Sequence, residues 1–184
     1  MSSEMEGEAK TLRKISSKAS AFVGKFIQTA VVADRTCIVM EMLGQNVSEL
    51  IDMLPRPTIG AKRLSPITVA RIAINMLRCI EAVHDTGYIH RDIKPSNFVR
   101  GARAGGGGGG NKHRRFYLID LGMSRGYLDK EKQVRKARTK CEFRGTSKYA
   151  SLNSHEHKDL GRRDDLWSFC FATLQVRGRG RRRV

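Results

Sequence analysis

The sequence predicts a mixed α+β chain in which a short two-stranded unit precedes mainly helical structure. Residues 22–43 indicate two β-strands, because apolar residues occupy both sides of a turn at Ala33–Arg35. A long helix is predicted to start at Ser65-Pro66, and another helix over residues 162–174. The 184 residues are enough for about one domain.

Composition excludes several classes of protein. The chain is 40% hydrophobic and 29% charged, which does not fit a disordered chain, a collagen or a disulfide scaffold. Its four cysteines are widely spaced, which favours reduced thiols. No run of about 18 apolar residues is present, so we expect no membrane partner. The first ten residues lack the apolar core of a signal peptide. We therefore expect a protein of the cytoplasm or nucleus that is not secreted.

The positive charge of the chain is concentrated in three places. Lysine and arginine number 35 against 18 acidic residues, which gives a net charge of +17. Residues 100–115, 125–148 and 177–183 carry +5, +6 and +5 of this total. Such an excess predicts attraction to an acidic or phosphorylated partner.

The N-terminal part of the chain predicts a disordered start and one helix. Residues 1–5 are short and polar, and we expect them to be disordered. A helical pattern starts at Glu8, with Leu12 and Ile15 three positions apart on one face. The sequence SSKAS, residues 16–20, is expected to end this helix.

The middle of the chain predicts a short helix and a long one. Residues 46–54 indicate a short helix that Pro55 and Pro57 end. In the long helix after Ser65-Pro66, Gly87 lies just beyond the expected end. Its apolar residues at helical spacing are expected in the core: Val69, Ile72, Leu77, Ile80 and Val83.

The remaining segments alternate between loops and regular structure. Residues 102–114 contain six consecutive glycines and predict a flexible surface loop. Phe116–Ile119 indicate a strand, residues 122–149 a basic loop, and residues 162–174 a buried helix. The tail, 176–184, has no fold signal.

The block HRDIKPSN, residues 90–97, followed by Asp120-Leu121-Gly122, carries the chemistry. Phosphoryl transfer needs a carboxylate to accept the proton of a substrate hydroxyl, and hard oxygen ligands for Mg²⁺. Asp92 supplies that carboxylate, and Lys94 can reach the transferring phosphate. Asn97 and Asp120 supply an amide oxygen and a second carboxylate for the metal.

These motifs resemble the catalytic loop and metal-binding motif of eukaryotic protein kinases. Residues 143–153, FRGTSKYASLN, are similar to the casein kinase 1 superfamily. The motifs HRDIKPSNF, FRGT, YAS and GRRDDLWS together resemble its tau-tubulin kinases. The resemblance implies an α+β protein-kinase-like fold that is incomplete. Residues 6–43 would form a partial small lobe and hinge, with one helix and two strands. Residues 44–175 would form the first part of the mainly helical large lobe.

The resemblance also implies how ATP and Mg²⁺ would be bound. Glu8 matches the glutamate of the small-lobe helix. Met40 matches the gatekeeper, and Glu41 to Leu43 match the hinge that bonds adenine through backbone groups. Val99 would form the floor under adenine.

Further positions are implied in the large lobe. Thr146 would bond to Asp92 and Lys94, and Asp165 would anchor the catalytic loop. The stacked hydrophobic set of the family would consist of Leu12, His90 and Leu121.

Parts of the kinase pattern are not found in this sequence. The glycine-rich loop and the strand lysine of kinases precede Glu8, and MSSEMEG contains no lysine. We also expect the later helices of the large lobe to be absent, which would leave part of the apolar surface of helix 162–174 uncovered.

Two hypotheses follow, an active serine/threonine kinase and a catalytically dead kinase-like binding module. The first implies a protein substrate, acidic or already phosphorylated, that contacts Lys148. A third hypothesis, nucleic-acid binding through the basic tail and residues 100–115, is disfavoured because no stacking aromatic residues accompany the tail. The oligomeric state is left open.

Overall fold

The computed structural model describes residues 3–54, 64–102 and 115–177. The predictions for Pro55, Pro57, the glycine run and residues 178–184 lie outside these ranges. In chain order the elements are α1 (Ser3–Lys18), β1 (Phe26–Val32), β2 (Arg35–Met40), β3 (Leu43–Asn46), α2 (Val47–Asp52), α3 (Pro66–Asp85), β4 (Tyr88–Ile89), β5 (Phe98–Gly101), β6 (Phe116–Leu118), β7 (Arg125–Gly126), α4 (Leu152–His155) and α5 (Arg162–Arg177). Short 3-10 helices span Pro95–Asn97 and Ser147–Tyr149. The α+β class is confirmed.

Helix α1 starts five residues earlier than the sequence predicts. It begins at Ser3 and so includes three residues of the segment expected to be disordered. It also continues through Ser16 to Lys18, into the sequence expected to break it. Leu12 and Ile15 are buried, as the pattern predicts. The buried face holds the helix against the rest of the core.

The two strands predicted over residues 22–43 form the hairpin β1–β2. Val32 pairs with Arg35, so the connecting loop has two residues. These two, Ala33 and Asp34, have φ values of 47° and 62°. Positive φ at both loop positions matches the right-handed twist of the flanking strands.

A second sheet, of order β3-β5-β6, connects the hairpin region to the helices. The chain before β1 joins this sheet, because Leu118 donates its N–H to the carbonyl of Phe22 at 2.8 Å. Strand β6 is the one predicted from residues 116–119. Strands β3 and β5 were not predicted, since both are short and pair with segments distant in sequence.

Helices α2 and α3 start where the sequence predicts. Asn46 caps α2 in a reciprocal arrangement with Glu49, which satisfies two backbone donors. Ser65 caps α3 by accepting a hydrogen bond from the N–H of Thr68, and Pro66 follows at the first helical position. Gly87, with φ of 85°, lies two residues after the end of α3.

The core lies between α1, α3, the three-stranded sheet and one face of α5. Most of the predicted α3 stripe is buried, but Leu77 is 43% exposed and is not a core residue. Met76 and Cys79 occupy the buried face instead. The largest fully buried side chains of the cluster are Ile15, Met76, Ile80, Ile93, Phe98, Leu118, Leu121, Val23, Val47 and Val83.

Helix α5 is apolar on two faces, and only one of them is buried. Ala172 and Val176 pack in the core, whereas Trp167 is 57% and Leu174 63% exposed. The prediction of a buried helix is therefore wrong for this face, while the expected uncovered apolar surface is present. Among the described residues, no helix is long and apolar enough to cross a membrane.

Candidate active site

Residues 90–97, which carry the predicted catalytic groups, are fixed to α5 by the buried carboxylate of Asp165. Its Oδ2 accepts a hydrogen bond from the backbone N–H of His90, and its Oδ1 accepts one from that of Arg91, both at 2.8 Å. Oδ2 also lies 2.8 Å from Nε2 of His84 in α3. A buried carboxylate needs such partners. The contact implied for Asp165 is thus present, and it fixes the start of the loop.

Asp92 is the buried acid at the centre of the site, at 4% exposure. Its Oδ2 accepts a hydrogen bond from Lys94 Nζ at 2.6 Å. Its Oδ1 accepts two from Thr146, from the backbone N–H at 2.9 Å and from Oγ1 at 2.8 Å. Lys94 Nζ also donates to Thr146 Oγ1 at 3.4 Å. The structure thus brings together all three predicted catalytic residues, whose roles remain predictions.

The hydrogen bonds to Asp92 determine its charge state. Burial alone would raise the pKa of this carboxyl. Hydrogen bonds from Lys94 and Thr146, together with the charge of Lys94, outweigh burial and hold the pKa below its usual value of 3.8. Asp92 is therefore ionised at neutral pH, and its carboxylate can accept a hydrogen bond from a substrate hydroxyl.

Gly145 allows Thr146 to approach Asp92. Its φ is 104°, a conformation that residues with a side chain rarely adopt. A Cβ atom placed on it would also lie 2.6 Å from the carbonyl oxygen of Arg91, closer than atoms pack. Glycine is thus required at this position both for backbone conformation and for space.

The two predicted metal ligands lie on adjoining stretches of backbone. Ile119, next to Asp120, donates its N–H to the carbonyl of Asn97 at 3.0 Å. Asn97 is buried, and its Nδ2 donates to the carbonyl of Asp92 at 2.9 Å, which leaves Oδ1 as the side-chain atom for a cation. Asp120 is exposed and has φ of 63°, a left-handed value that aspartate tolerates.

An amide oxygen and a carboxylate are hard donors and fit Mg²⁺. This ion usually takes one or two protein carboxylates and completes its shell with water and phosphate oxygens. Within the three described ranges, no group of three or more His, Cys, Asp and Glu could hold a metal ion. The donor set thus fits a magnesium ion that shares its coordination with a nucleotide, rather than one enclosed by protein.

Glu8 lies against the turn that follows β6. A Cβ atom added to Gly122 would be 3.3 Å from the carboxyl group of Glu8. The pKa of Glu8 is raised by partial burial and by the nearby negative charge of Asp120. The predicted small-lobe glutamate therefore lies close to the predicted metal ligand, where a cation would relieve the repulsion.

The residues predicted to contact adenine lie around the end of β2 and in β5. A Cβ atom on Gly24 would meet Met40 at 2.9 Å and Leu43 at 3.5 Å, so both side chains lie over this glycine. The N–H of Glu41 donates to the carbonyl of Lys25, which leaves the carbonyl oxygen of Glu41 as its backbone atom for adenine. Val99 is 6% exposed in β5, the middle strand of the three-stranded sheet. The role of these residues in adenine binding stays a prediction.

The hydrophobic set implied by the resemblance is buried throughout. Leu12, His90 and Leu121 are at most 3% exposed. His90 Nε2 lies 3.0 Å from the carbonyl oxygen of Ile119, which joins the catalytic loop to the Asp120 turn.

Three polar residues in or near the site were not predicted. Asp159 binds Arg125 and Arg138 of the basic loop. His84 supports Asp165, and Gln175 in α5 accepts a hydrogen bond from Lys148 Nζ at 3.0 Å. None belongs to a motif. The only signal in the sequence was the excess of positive charge over residues 125–148, which requires a compensating acid elsewhere.

Known proteins are similar to this chain over most of its length. The family model described as protein kinase domain matches residues 1–177. A probable serine/threonine-protein kinase of Dictyostelium discoideum is 40% identical over 168 residues, which cover 91% of this chain and 31% of that protein. Casein kinase I homolog 3 of Schizosaccharomyces pombe is 36% identical over 132 residues, which cover 71% of this chain and 28% of that protein.

Budding yeast has a further relative of the same kind. Casein kinase I homolog 1 of Saccharomyces cerevisiae is 38% identical over 130 residues, which cover 70% of this chain and 22% of that protein. The chain thus spans less than half the length of the curated relatives it matches.

Proposed function

Because the chain belongs to the protein kinase family, with serine/threonine kinases among its relatives, we propose that it transfers the γ-phosphate of ATP to serine or threonine hydroxyls of protein substrates. We further propose that it does so as a kinase of casein kinase 1 type. The observation that carries the proposal is the contact of Asp92, Lys94 and Thr146 beside the oxygen donors of Asn97 and Asp120. The residues FRGT, YAS and GRRDDLWS support closeness to tau-tubulin kinases.

Each side chain would have a separate task in the transfer. Asp92 accepts a hydrogen bond from the substrate hydroxyl and so directs its oxygen at the γ-phosphorus. A new oxygen–phosphorus bond forms, the bond from the γ-phosphorus to the bridging oxygen of ADP breaks, and the hydroxyl proton leaves towards Asp92. Lys94 balances negative charge on the transferring group. Thr146 holds Asp92 and Lys94 in this arrangement through its hydroxyl.

Asn97 Oδ1 and the Asp120 carboxylate would hold Mg²⁺ against the phosphates of ATP. When bound, the ion neutralises charge on the β- and γ-phosphates. Glu8 lies near Asp120, and its pKa is raised by partial burial and, to a smaller extent, by repulsion from Asp120. A cation held by Asp120 would reduce the repulsion between the two carboxylates.

An acidic or already phosphorylated substrate fits the surface next to Thr146. Lys148, two residues further on, is exposed and carries a positive charge. Its ammonium group donates to the neutral amide of Gln175 and lies 5.4 Å from the centre of the Tyr149 ring. Neither partner is an anion, so the charge of Lys148 is held in place without being neutralised.

The direct test is phosphate transfer from labelled ATP to casein by the purified chain. Asp92→Asn is expected to lower kcat by at least about a hundredfold, since the hydroxyl loses its general base. Asp34→Asn is the matched control, because it removes the same charge at the exposed hairpin turn, where asparagine tolerates a positive φ. Activity that survives Asp92→Asn would falsify the assignment.

A second candidate function is a kinase-like binding module without catalysis. The observation in its favour concerns Glu8. In the part of the chain that the structure describes, no lysine forms an ion pair with it. Active kinases use such a pair to hold the phosphates of ATP. The module predicts no rise of the melting temperature with Mg-ATP, and a clear rise contradicts it.

A further inference from the structure

The basic segment between the Asp120 turn and Thr146 is almost without regular structure. Residues 125–148 hold nine basic and three acidic residues, and all side chains from 130 to 140 are exposed. A segment of this charge repels itself. Its own hydrogen bonds lie over residues 127–135, where Asp129 accepts the backbone N–H of Gln133, and Arg135 donates to the carbonyls of Tyr127 and Leu128. An acid outside the segment can therefore add to the attraction that holds it in place.

Asp159, in the connection between α4 and α5, supplies that anion. Its Oδ1 accepts hydrogen bonds from Arg125, from Arg138 Nη2 at 2.9 Å and from Arg138 Nε at 3.2 Å. Its Oδ2 accepts the backbone N–H of Arg138 at 3.0 Å. Cys141 Sγ donates to Oδ1 at 3.5 Å. The start of the basic segment and its middle, at Arg138, thus meet on one carboxylate, whose side chain is 10% exposed.

The charges around Asp159 keep its carboxylate ionised. Burial alone would raise its pKa, but hydrogen bonds from Arg138 and the charges of Arg125 and Arg138 lower it to about 2. Arg91 lies within reach of the same group. Burial and the repulsion of Arg125, Arg138 and Arg144 lower its pKa to about 10, whereas Asp159 acts in the opposite direction. Arg125 and Arg138 thus bind this half-buried acid directly, and the guanidinium group of Arg91 is stabilised by its charge.

The end of this segment is the part that contacts the catalytic loop. Ser154 Oγ donates to the carbonyl of Arg144 at 2.8 Å, and Gly145 lies directly against the carbonyl of Arg91. Thr146 follows and donates to Asp92. A segment released at Arg138 would gain freedom over the few residues that lead to Thr146.

We propose that Asp159 is a positioning residue, the built-in anion around which residues 125–144 fold, so that Thr146 is held against Asp92 without a phosphate group on this segment. Only the expectation that this position of Thr146 supports phosphate transfer rests on the proposed function. The folding of the segment around Asp159 is measured without any substrate, so its failure and a failure of kinase activity are distinguishable.

The test is amide hydrogen exchange on the full chain, with its unphosphorylated state verified by mass. The diagnostic group is the N–H of Thr146, because its acceptor is Asp92 and not the residue changed. Asp159→Asn is expected to speed exchange at Thr146 by at least about tenfold, which corresponds to about 1.4 kcal/mol. Glu142→Gln is the matched control. It removes the same charge from an exposed ion pair within the segment and should change this rate less than about twofold.

Addition of an anion identifies the cause of any change. With Asp159 neutralised, sodium sulfate should restore slow exchange at Thr146, and sodium chloride of equal ionic strength should not. Sulfate also stabilises folded proteins in general. This effect is measured as the change in exchange at Thr146 in the wild type and in Glu142→Gln, and is subtracted from the change in Asp159→Asn. Recovery that is equal in sulfate and chloride overturns the role of Asp159 as an anion.

Arg138→Gln is the second variant, for the case in which circular dichroism shows that Asp159→Asn does not fold. The Arg138 side chain is 47% exposed, so its removal leaves no buried cation, and the same acceleration at Thr146 is expected. The proposal is overturned when neither variant speeds exchange at Thr146. It is equally overturned when the unphosphorylated wild type already exchanges there as fast as Asp159→Asn.

Discussion

Thr146→Val isolates one hydrogen bond in the candidate active site. Valine keeps the shape of threonine and the backbone N–H that donates to Asp92 Oδ1. The change removes the hydroxyl, which donates to the same oxygen at 2.8 Å and accepts from Lys94 at 3.4 Å. Asp92 is 4% exposed, so water does not readily replace the lost donor.

The expected loss of stability follows from the charge of the acceptor. A hydrogen bond to an ionised group contributes about 1.5–3 kcal/mol, roughly twice that of a neutral pair. For a chain of this size each kcal/mol changes the melting temperature by about 2–4 °C. Thr146→Val should therefore melt about 3–12 °C below the wild type at pH 7.

Thr86→Val serves as the matched control for this measurement. The Thr86 hydroxyl donates at 2.7 Å to the carbonyl of Val83, which is a neutral acceptor. Its loss should cost about 0.5–1.5 kcal/mol, so the melting temperature falls less than for Thr146→Val. Both variants are compared with the wild type by thermal unfolding followed by circular dichroism.

Measuring the same melting temperatures at acidic pH can refute this reasoning. The pKa of Asp92 is lowered in the folded state, so its carboxylate stabilises the fold above about pH 4, and this contribution is lost as pH falls through the folded pKa. Thr146→Val raises the pKa of Asp92 in the folded state, so the variant loses less stability than the wild type when the pH falls. The difference in melting temperature from the wild type should narrow between pH 7 and pH 3. An undiminished difference, or equal shifts for Thr86→Val and Thr146→Val, refutes the reasoning.

Three further predictions concern backbone, core and surface. Gly145→Ala should cost about 1–3 kcal/mol, since alanine is strained at a φ of 104°. Gly7→Ala, in α1 with no atom within 4 Å of the added methyl, should instead raise the melting temperature. Thr173→Val should be neutral or stabilising by up to about 1 kcal/mol, because its buried hydroxyl has no hydrogen-bond partner among the described residues; a clear loss in chemical denaturation contradicts this. Lys148→Glu should lower kcat/KM for an acidic peptide about tenfold relative to its amide analogue, and Lys10→Glu should not; an unchanged ratio removes Lys148 as the substrate contact.

The sequence predicted correctly those features that depend on residues close together in the chain. Ser65, Pro66 and Gly87 mark the ends of α3, because a cap, a fixed φ and a positive φ act within one turn of the chain. The first turn of α1 was missed because its polar composition resembles a disordered end. Acidic residues such as Glu6 nevertheless favour the positive end of a helix dipole.

Contacts between segments that are distant in the sequence could not be predicted in this way. Strands β3 and β5 exist only through their pairing with each other and with β6. Asp159 lies 34 residues from Arg125 and 21 from Arg138, and no spacing rule connects them. Leu77 and Trp167 are apolar at helical positions, yet which face a helix buries is decided by its neighbours. The Asp92–Thr146 contact was accessible only through the resemblance.

The uncovered face of α5 gives the molecule an internal optical probe. Trp167 is the single tryptophan of the sequence, and it is stacked on Phe171 with ring centres 6.0 Å apart. Its intrinsic fluorescence therefore comes from one known position on an exposed apolar surface. Any protein that covers this face should shield the indole from acrylamide and move its emission to shorter wavelength, so a label-free titration can report occupation of α5.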